Sequence, residues 1–240
     1  MIKMPADQQK KQACLALSFC GDLCELHSDG SLYLPSYRTL VVSDLHFEKG
    51  HAQSAGAPLP RYDTDVTLSK LEKAISRTDP QTCIFLGDSF HNADVARTLP
   101  AVYREALDKL ARNRDFIWIE GNHDPDLPVF LPGRAAPEYF VNGLHFFHQL
   151  TGSTIRKKGQ ITGHYHPKAR VNLKIRRISA PCFIHDGSRL MLPAFGAFTG
   201  GLNVLDKAIQ SVLKKPQSAF LCHAENIYHL PVSDSFFVRF

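Results

Sequence analysis

Gly121-Asn122-His123-Asp124 places an amide, an imidazole and a carboxylate within four residues, and it is one of five such fragments. Asp44-Leu45-His46 and Gly87-Asp88 precede it; His148 and Gly163-His164-Tyr165-His166 follow. Carboxylate, amide and imidazole donors are the ligands of hard and borderline divalent cations. Each fragment stands at the end of an apolar run that reads as a strand, so the five can converge on one spot. Donors in that number suit two neighbouring cations, held about 3.5–4 Å apart, that neutralise a phosphoryl group and lower the pKa of a water. Taken alone, Asp-x-His is better explained by a capped loop. The ordered set of five is much harder to obtain by chance.

At a strand end, the spacing of Asp44 and His46 turns both side chains toward one point and sends Leu45 into the core. Gly87 lets the chain leave its strand sharply, and Asp88 then offers one oxygen to each of two cations. Asn122 adds a neutral oxygen. His148 ends the run 144–147, while His145 falls on the opposite face as a satisfied core or surface histidine. His164 and His166 share a side, with Tyr165 opposite and Pro167 fixing the exit.

These fragments need strands to carry them. Residues 32–34 and 39–42 read as strands around a Pro35 turn, and the second delivers Asp44 and His46. Val66, Leu68, Leu71, Ala74 and Ile75 recur at helical spacing until Asp79-Pro80. Residues 83–86 form a buried strand, 100–111 a helix with Pro100 in its first turn, and 116–119 a strand ending at the Asn-His-Asp triplet. Alternation of this kind gathers ligands beyond the carboxyl ends of the strands. The second half is strand-rich: 139–148, 168–177, 181–185, 189–192 and 219–223. The fold expected is α/β (α+β), with sheets packed face to face and helices outside.

The 240 residues suffice for one large core and contain no linker-like or low-complexity tract, so residues 1–240 are read as one domain. No run approaches a membrane span, and no membrane partner is expected. Lys3, Lys10 and Lys11 before residues 13–17 imitate a secretory leader, but the apolar run is short and Asp7 interrupts it; a first strand is the better reading. Six cysteines without a C-x-x-C pair fit a reduced, cytoplasmic chain. A formal net charge of +5 permits an anionic partner without requiring one.

The ordered fragments, spanning residues 40–167, resemble the calcineurin-like metallophosphoesterases. A narrower likeness rests on Asp44-Leu45-His46-Phe47-Glu48-Lys49-Gly50, on Leu86-Gly87-Asp88-Ser89-Phe90-His91 and on the stretch from Pro193 through Phe195-Gly196-Ala197-Phe198-Thr199-Gly200-Gly201 to Asn203. These are similar to the bacterial ligase-associated PdeM branch, a group described as DNA-damage-response endonucleases. The resemblance implies a four-layer αββα sandwich of two mixed sheets. It also implies that Asp44, His46, Asp88 and His166 hold one metal, and that Asp88, Asn122, His148 and His164 hold the other. His123 would be the acid that protonates the leaving oxygen. One position departs from the wider pattern. His91 stands where many relatives carry the Asp or Asn that in some orients the acid histidine, so His91 is expected at phosphate, at His123 or at a metal, and Asp124 becomes a substitute orienting group.

The mechanism expected is in-line attack on a phosphodiester by a hydroxide bridging two divalent ions, without a covalent intermediate. The mixed oxygen and nitrogen donors suit manganese, iron or zinc, manganese being favoured here. Lys168 and Arg170 open a run (Lys168, Arg170, Asn172, Lys174, Arg176) with one basic face that could track DNA; a solvated outer face of an edge strand is the favoured explanation. Glu48, Lys49 and Arg61 flank the first ligands. The glycine-rich stretch 195–201 is a structural loop by default. Three readings result: a DNA-repair nuclease or phosphodiesterase, for which the resemblance implies a repair-ligase partner; a hydrolase of nucleotides, nucleotide-sugars or phosphomonoesters; and a non-catalytic repair-complex partner.

Overall fold

The computed structural model describes residues 12–49, 62–150, 158–172, 177–213 and 218–232. The loop 50–60, Arg61, Lys174 and Arg176 therefore lie outside the described residues.

The first sheet has the order β1-β2-β3-β4-β5-β6-β7. Strands β1 (Cys14–Phe19), β2 (Asp22–His27), β3 (Leu32–Leu34) and β4 (Thr39–Val42) pair antiparallel. From β4 onward, β5 (Thr82–Leu86), β6 (Asp115–Ile119) and β7 (Arg134–Ala136) run parallel. The parallel half needs crossovers, and helices supply them. Helix α1 (Tyr62–Thr78) buries Leu68, Leu71, Ala74 and Ile75 along one stripe. Asp63 and Asp65 in its first turn and Arg77 in its last suit its dipole. It ends where Asp79 turns left-handed before Pro80. Between β5 and β6 lie α2 (Ala93–Arg97), whose first turn the Asn92 side chain caps through the Val95 amide at 2.8 Å, and α3 (Ala101–Ala111), which buries Tyr103 and Leu107.

The second sheet comprises β8 (Tyr139–Val141), β9 (Leu144–Phe146), β10 (Gly159–Thr162), β12 (Arg177–His185), β13 (Arg189–Met191), β14 (Ser218–His223) and β15 (Asn226–Pro231). Its order is β15-β14-β12-β13-β10-β9-β8, with β11 (Lys168–Asn172) joined to β12. Only β9, β10 and β13 run parallel. A short α4 (Lys207–Val212) covers its outer face.

Three hydrophobic clusters occupy the three spaces between four layers. Leu26, Leu34, Ile84, Ile117, Phe146, Phe183 and Leu192 fill the space between the sheets. Leu40, Phe85, Trp118, Leu71 and Leu107 join the first sheet to α1 and α3. Ala169, Ile184, Met191, Ile209 and Val212 join the second sheet to α4. Each large side chain so buried contributes about 1.5–3 kcal/mol. The expected αββα arrangement of two mixed sheets is present, with an outer helical layer over the second sheet much thinner than that over the first.

Two segments differ from expectation. Residues 139–148 are not one strand: Asn142 and Gly143, both at positive φ (46° and 83°), make a tight hairpin between β8 and β9. Asn-Gly is a strong sequence signal for such a turn. Likewise 168–177 divides into β11 and the start of β12, which pair antiparallel from Asn172–Arg177 back to Lys168–Pro181. Among the described residues no helix is long and apolar enough to cross a membrane.

Candidate metal centre

Strands β4, β5 and β6 end side by side, and the loops leaving them run together. The Asp44 amide donates to the Gly87 carbonyl (3.2 Å), that of His46 to Asp88 (3.0 Å) and that of Phe47 to Ser89 (2.9 Å). Asp44 and His46 do converge and Leu45 is buried in the core, but not by strand alternation as expected. The strand stops at Val42. Asp44 (φ 53°) and His46 (φ 47°) sit in left-handed conformations instead. Asp88 (46°), His164 (71°) and His166 (46°) do the same. Such backbone is costly for non-glycine residues and concentrates at functional sites.

Two sets of donors result. Asp44, His46 and His166 form one, and Asp88, His148 and His164 the other; within each set the ligand atoms lie within 4.8 Å of one another. His166 Nε2 is 3.2 Å from Asp44 Oδ1 and 3.3 Å from His46 Nε2. In the other set, His148 Nε2 is 3.3 Å from Asp88 Oδ2, 3.2 Å from His164 Nδ1 and 2.8 Å from the Asn122 Oδ1. Backbone amides hold both carboxylates: His164 N–H donates to Asp44 (3.0 Å) and His123 N–H to Asp88 Oδ1 (3.0 Å). All seven expected ligands are thus gathered. Asp44 and Asp88 are buried beside facing imidazole nitrogens, a donor set that fits two divalent cations.

The electrostatics agree. Burial would raise Asp88, but the His148 hydrogen bond and the nearby imidazoles hold its carboxyl well below the usual range. Burial would lower His148, yet the Asp88 hydrogen bond and the charges of Asp44 and Asp88 push it up to about 9. A proton on His148 therefore offsets carboxylate charge in the metal-free chain, and a cation would replace it. His148 Nδ1–H donates to the Leu86 carbonyl at 2.8 Å, which points Nε2 into the site. Burial lowers His46 to about 4, so it is a neutral donor.

His123 lies at the mouth with 44% of its side chain exposed and Nε2 4.0 Å from Asp88 Oδ2. Its Nδ1 is 3.1 Å from the His91 carbonyl; a carbonyl only accepts, so Nδ1 carries hydrogen there. Its ring lies nearly parallel to that of His91, centroids 6.0 Å apart. The contact of His91 with the His123 Nδ1 is thus made by its main chain, an atom that side-chain types do not reveal. Asp124 does not serve as the substitute orienting group. It is fully buried and its Oδ2 accepts the Phe90 amide at 3.0 Å. Burial and the nearby Asp88 charge raise it to about 7. His145 is a buried histidine whose Nε2 is 2.6 Å from Glu138 and whose ring stacks on Phe140.

The 195–201 stretch has a role that its sequence did not disclose. Phe195 N–H donates to the Ser43 carbonyl (2.7 Å) and Gly196 N–H to that of Asp44 (3.1 Å). A Cβ at Gly196 would fall onto the Leu45 carbonyl, so only glycine allows this approach. From α1, Thr67 accepts the Ala197 amide (3.0 Å), and Lys70 donates to the Phe195 carbonyl (2.7 Å) while lying over its ring. Lys168 Nζ donates to the Thr199 carbonyl at 3.0 Å, which ties it to this stretch. Glu48 is buried and paired with Thr64 of α1 (2.9 Å).

Comparison with known proteins agrees with this geometry. Residues 37–190 match the calcineurin-like phosphoesterase family. The crystal structure of the nuclease MPE of Pseudomonas putida is similar at a TM-score of 0.71 and 26% identity, over 90% of this chain and 100% of that one. YfcE, a phosphoesterase from E. coli, aligns at a TM-score of 0.41 and 12% identity over 81% of this chain and 99% of its own, too distantly to add to the argument. No curated protein matches. With its matched segment covering most of the chain and two donor sets at the strand ends, this protein belongs to the calcineurin-like phosphoesterases and is a metal-dependent hydrolase.

Proposed function

We propose that this chain is a phosphodiesterase whose substrate is DNA, of the ligase-associated branch, acting in the cytoplasm as one domain of residues 1–240 with a repair ligase as partner. The observation that carries the reaction class is the pair of donor sets with His123 at their exposed mouth. The nuclease similar over 100% of its length supports a polymer substrate.

When bound, two divalent ions, manganese by preference, would neutralise charge on the phosphoryl oxygens and lower the pKa of a water. Asp44, His46, His166 and Asp88 are assigned to one ion, and Asp88, Asn122, His148 and His164 to the other. The chain's own groups do the rest. Hydrogen on Nδ1, held at the His91 carbonyl, leaves Nε2 as the nitrogen that delivers a proton to the departing alkoxide. The His123 amide donates to Asp88, the carboxylate assigned to both ions, and so links the backbone of the acid to that ligand. Arg170, with Lys168 beside it on β11, extends the site as a basic approach for the DNA backbone.

Metal-stripped protein resupplied with Mn²⁺ tests this on single-stranded and nicked DNA beside bis-p-nitrophenyl phosphate and cyclic nucleotides. The proposal expects Mn²⁺-dependent DNA cutting that His123→Ala suppresses. Cleavage of the model diesters without any cutting of DNA would replace it with a small-molecule phosphodiesterase.

A further inference from the structure

A third grouping of ligand-type side chains lies at the opposite edge of the first sheet and shares no residue with the two donor sets. Cys14 of β1 stands directly across the ladder from His27 of β2, and Glu25 is two residues from His27 on the same strand. Directly opposed residues and i±2 neighbours share a face of an antiparallel pair. The three side chains therefore point the same way, while Leu26 turns into the inter-sheet core. Their ligand atoms, like those of the catalytic sets, lie within 4.8 Å of one another.

His27 makes this more than a coincidence of placement. It is 4% exposed, and among the described residues its buried Nε2 has no hydrogen-bond partner. Glu25 Oε2, the nearby carboxylate oxygen, is 3.5 Å away, too far for a good hydrogen bond. A buried imidazole nitrogen left so is destabilising unless something else engages it. Burial, helped by the nearby Arg77 charge, lowers His27 to about 4, which keeps it in the neutral form that binds metal. Arg77 does not oppose a cation with its full charge, because its guanidinium pairs with Asp29 at 2.8 Å and donates to Ser31 at 3.1 Å.

We propose that Cys14, Glu25 and His27 bind one thiophilic divalent cation of the zinc class, which clamps β1 to β2 at the sheet edge. Thiolate, imidazole and carboxylate are all zinc donors, and a water completes four-coordination. Binding releases the Cys14 thiol proton to solvent, so affinity rises with pH. Sulfur separates this site from the catalytic centre, whose assigned ligands are oxygen and nitrogen alone.

The test loads the full-length protein with Co²⁺ and reads near-ultraviolet sulfur-to-cobalt charge-transfer absorption, with metal content measured in parallel after Zn²⁺ loading. The absorption is expected in the natural chain and in Cys83→Ser, whose thiol is buried elsewhere. It should vanish in Cys14→Ser, which should also hold about one equivalent less zinc while keeping its phosphoesterase activity. Should Cys14→Ser fold poorly, Glu25→Gln keeps the thiol, and its Co²⁺ affinity should fall about tenfold or more. The proposal is overturned if the natural chain shows no such absorption, if the absorption survives Cys14→Ser, or if Glu25→Gln binds Co²⁺ as the natural chain does.

Discussion

The two donor sets are built from similar residues and supported differently. The Asp88 set is supported locally: Gly87 makes the turn, the Leu86 carbonyl orients His148, and the His123 amide holds the carboxylate. The Asp44 set depends on distant chain. Phe195 and Gly196 hydrogen-bond its backbone, and α1 braces that stretch through Thr67 and Lys70. One set is thus as secure as the strand ends that carry it. The other is as secure as the contact between a C-terminal segment and a helix far away in sequence.

Substitutions can break this contrast. The largest effect is expected from Asp88→Asn, the carboxylate assigned to both ions: nearly all turnover should be lost along with metal, checked by metal analysis and diester hydrolysis together. His123→Ala should lower turnover on a poor leaving group by about 10²–10⁴-fold and leave metal content intact. Full turnover in that variant would remove His123 from the acid role. Gly87→Ala and Gly196→Ala should then separate the two sets. At Gly87 a Cβ would run into the His148 ring, and at Gly196 into the Leu45 carbonyl. Each should weaken one ion by about 10–100-fold while sparing the other, read by titration calorimetry as the loss of one phase. Equal weakening of both ions by either variant would show that the sets are not separately supported.

A subtler effect concerns pH. In metal-free protein His148 is raised from its ordinary 6.5 to about 9. A raised group contributes stability that is fully present below its unfolded pKa and is lost as pH rises through the folded one. Melting of chelator-treated protein should therefore fall between pH 6.5 and 9, and His148→Gln should flatten that fall. With metal present the trend should reverse in this window, since the competing proton leaves. The smallest effect expected is from Lys70→Met, about 0.5–2 kcal/mol from its place over Phe195, seen as a modest loss in melting temperature.

The contrast also marks what could be read from sequence. Which residues gather was legible because carboxylate, amide and imidazole at strand ends have few other uses, and the β4, β5 and β6 assignments followed from apolar runs. The left-handed backbone at Asp44 and His46 was not, because those residue types give no warning of it; regular alternation was the natural assumption. The orienting role of His91 was hidden because a carbonyl performs it, and every residue has one. Asp124 misled for the opposite reason: its position beside His123 suggested a partner, while burial turned it toward Phe90. The bracing by 195–201 depends on tertiary contact with α1, which no local pattern encodes, although its glycines hinted at close approach. The hairpin at Asn142-Gly143 was written in the sequence and passed over in favour of a long apolar run.

Everything turns on two ions bound side by side. Anomalous diffraction from crystals soaked in Mn²⁺ measures that directly. Two adjacent peaks are predicted, one bounded by Asp44, His46 and His166 and one by Asp88, His148 and His164. A single peak, or none between Asp44 and Asp88, would contradict the account.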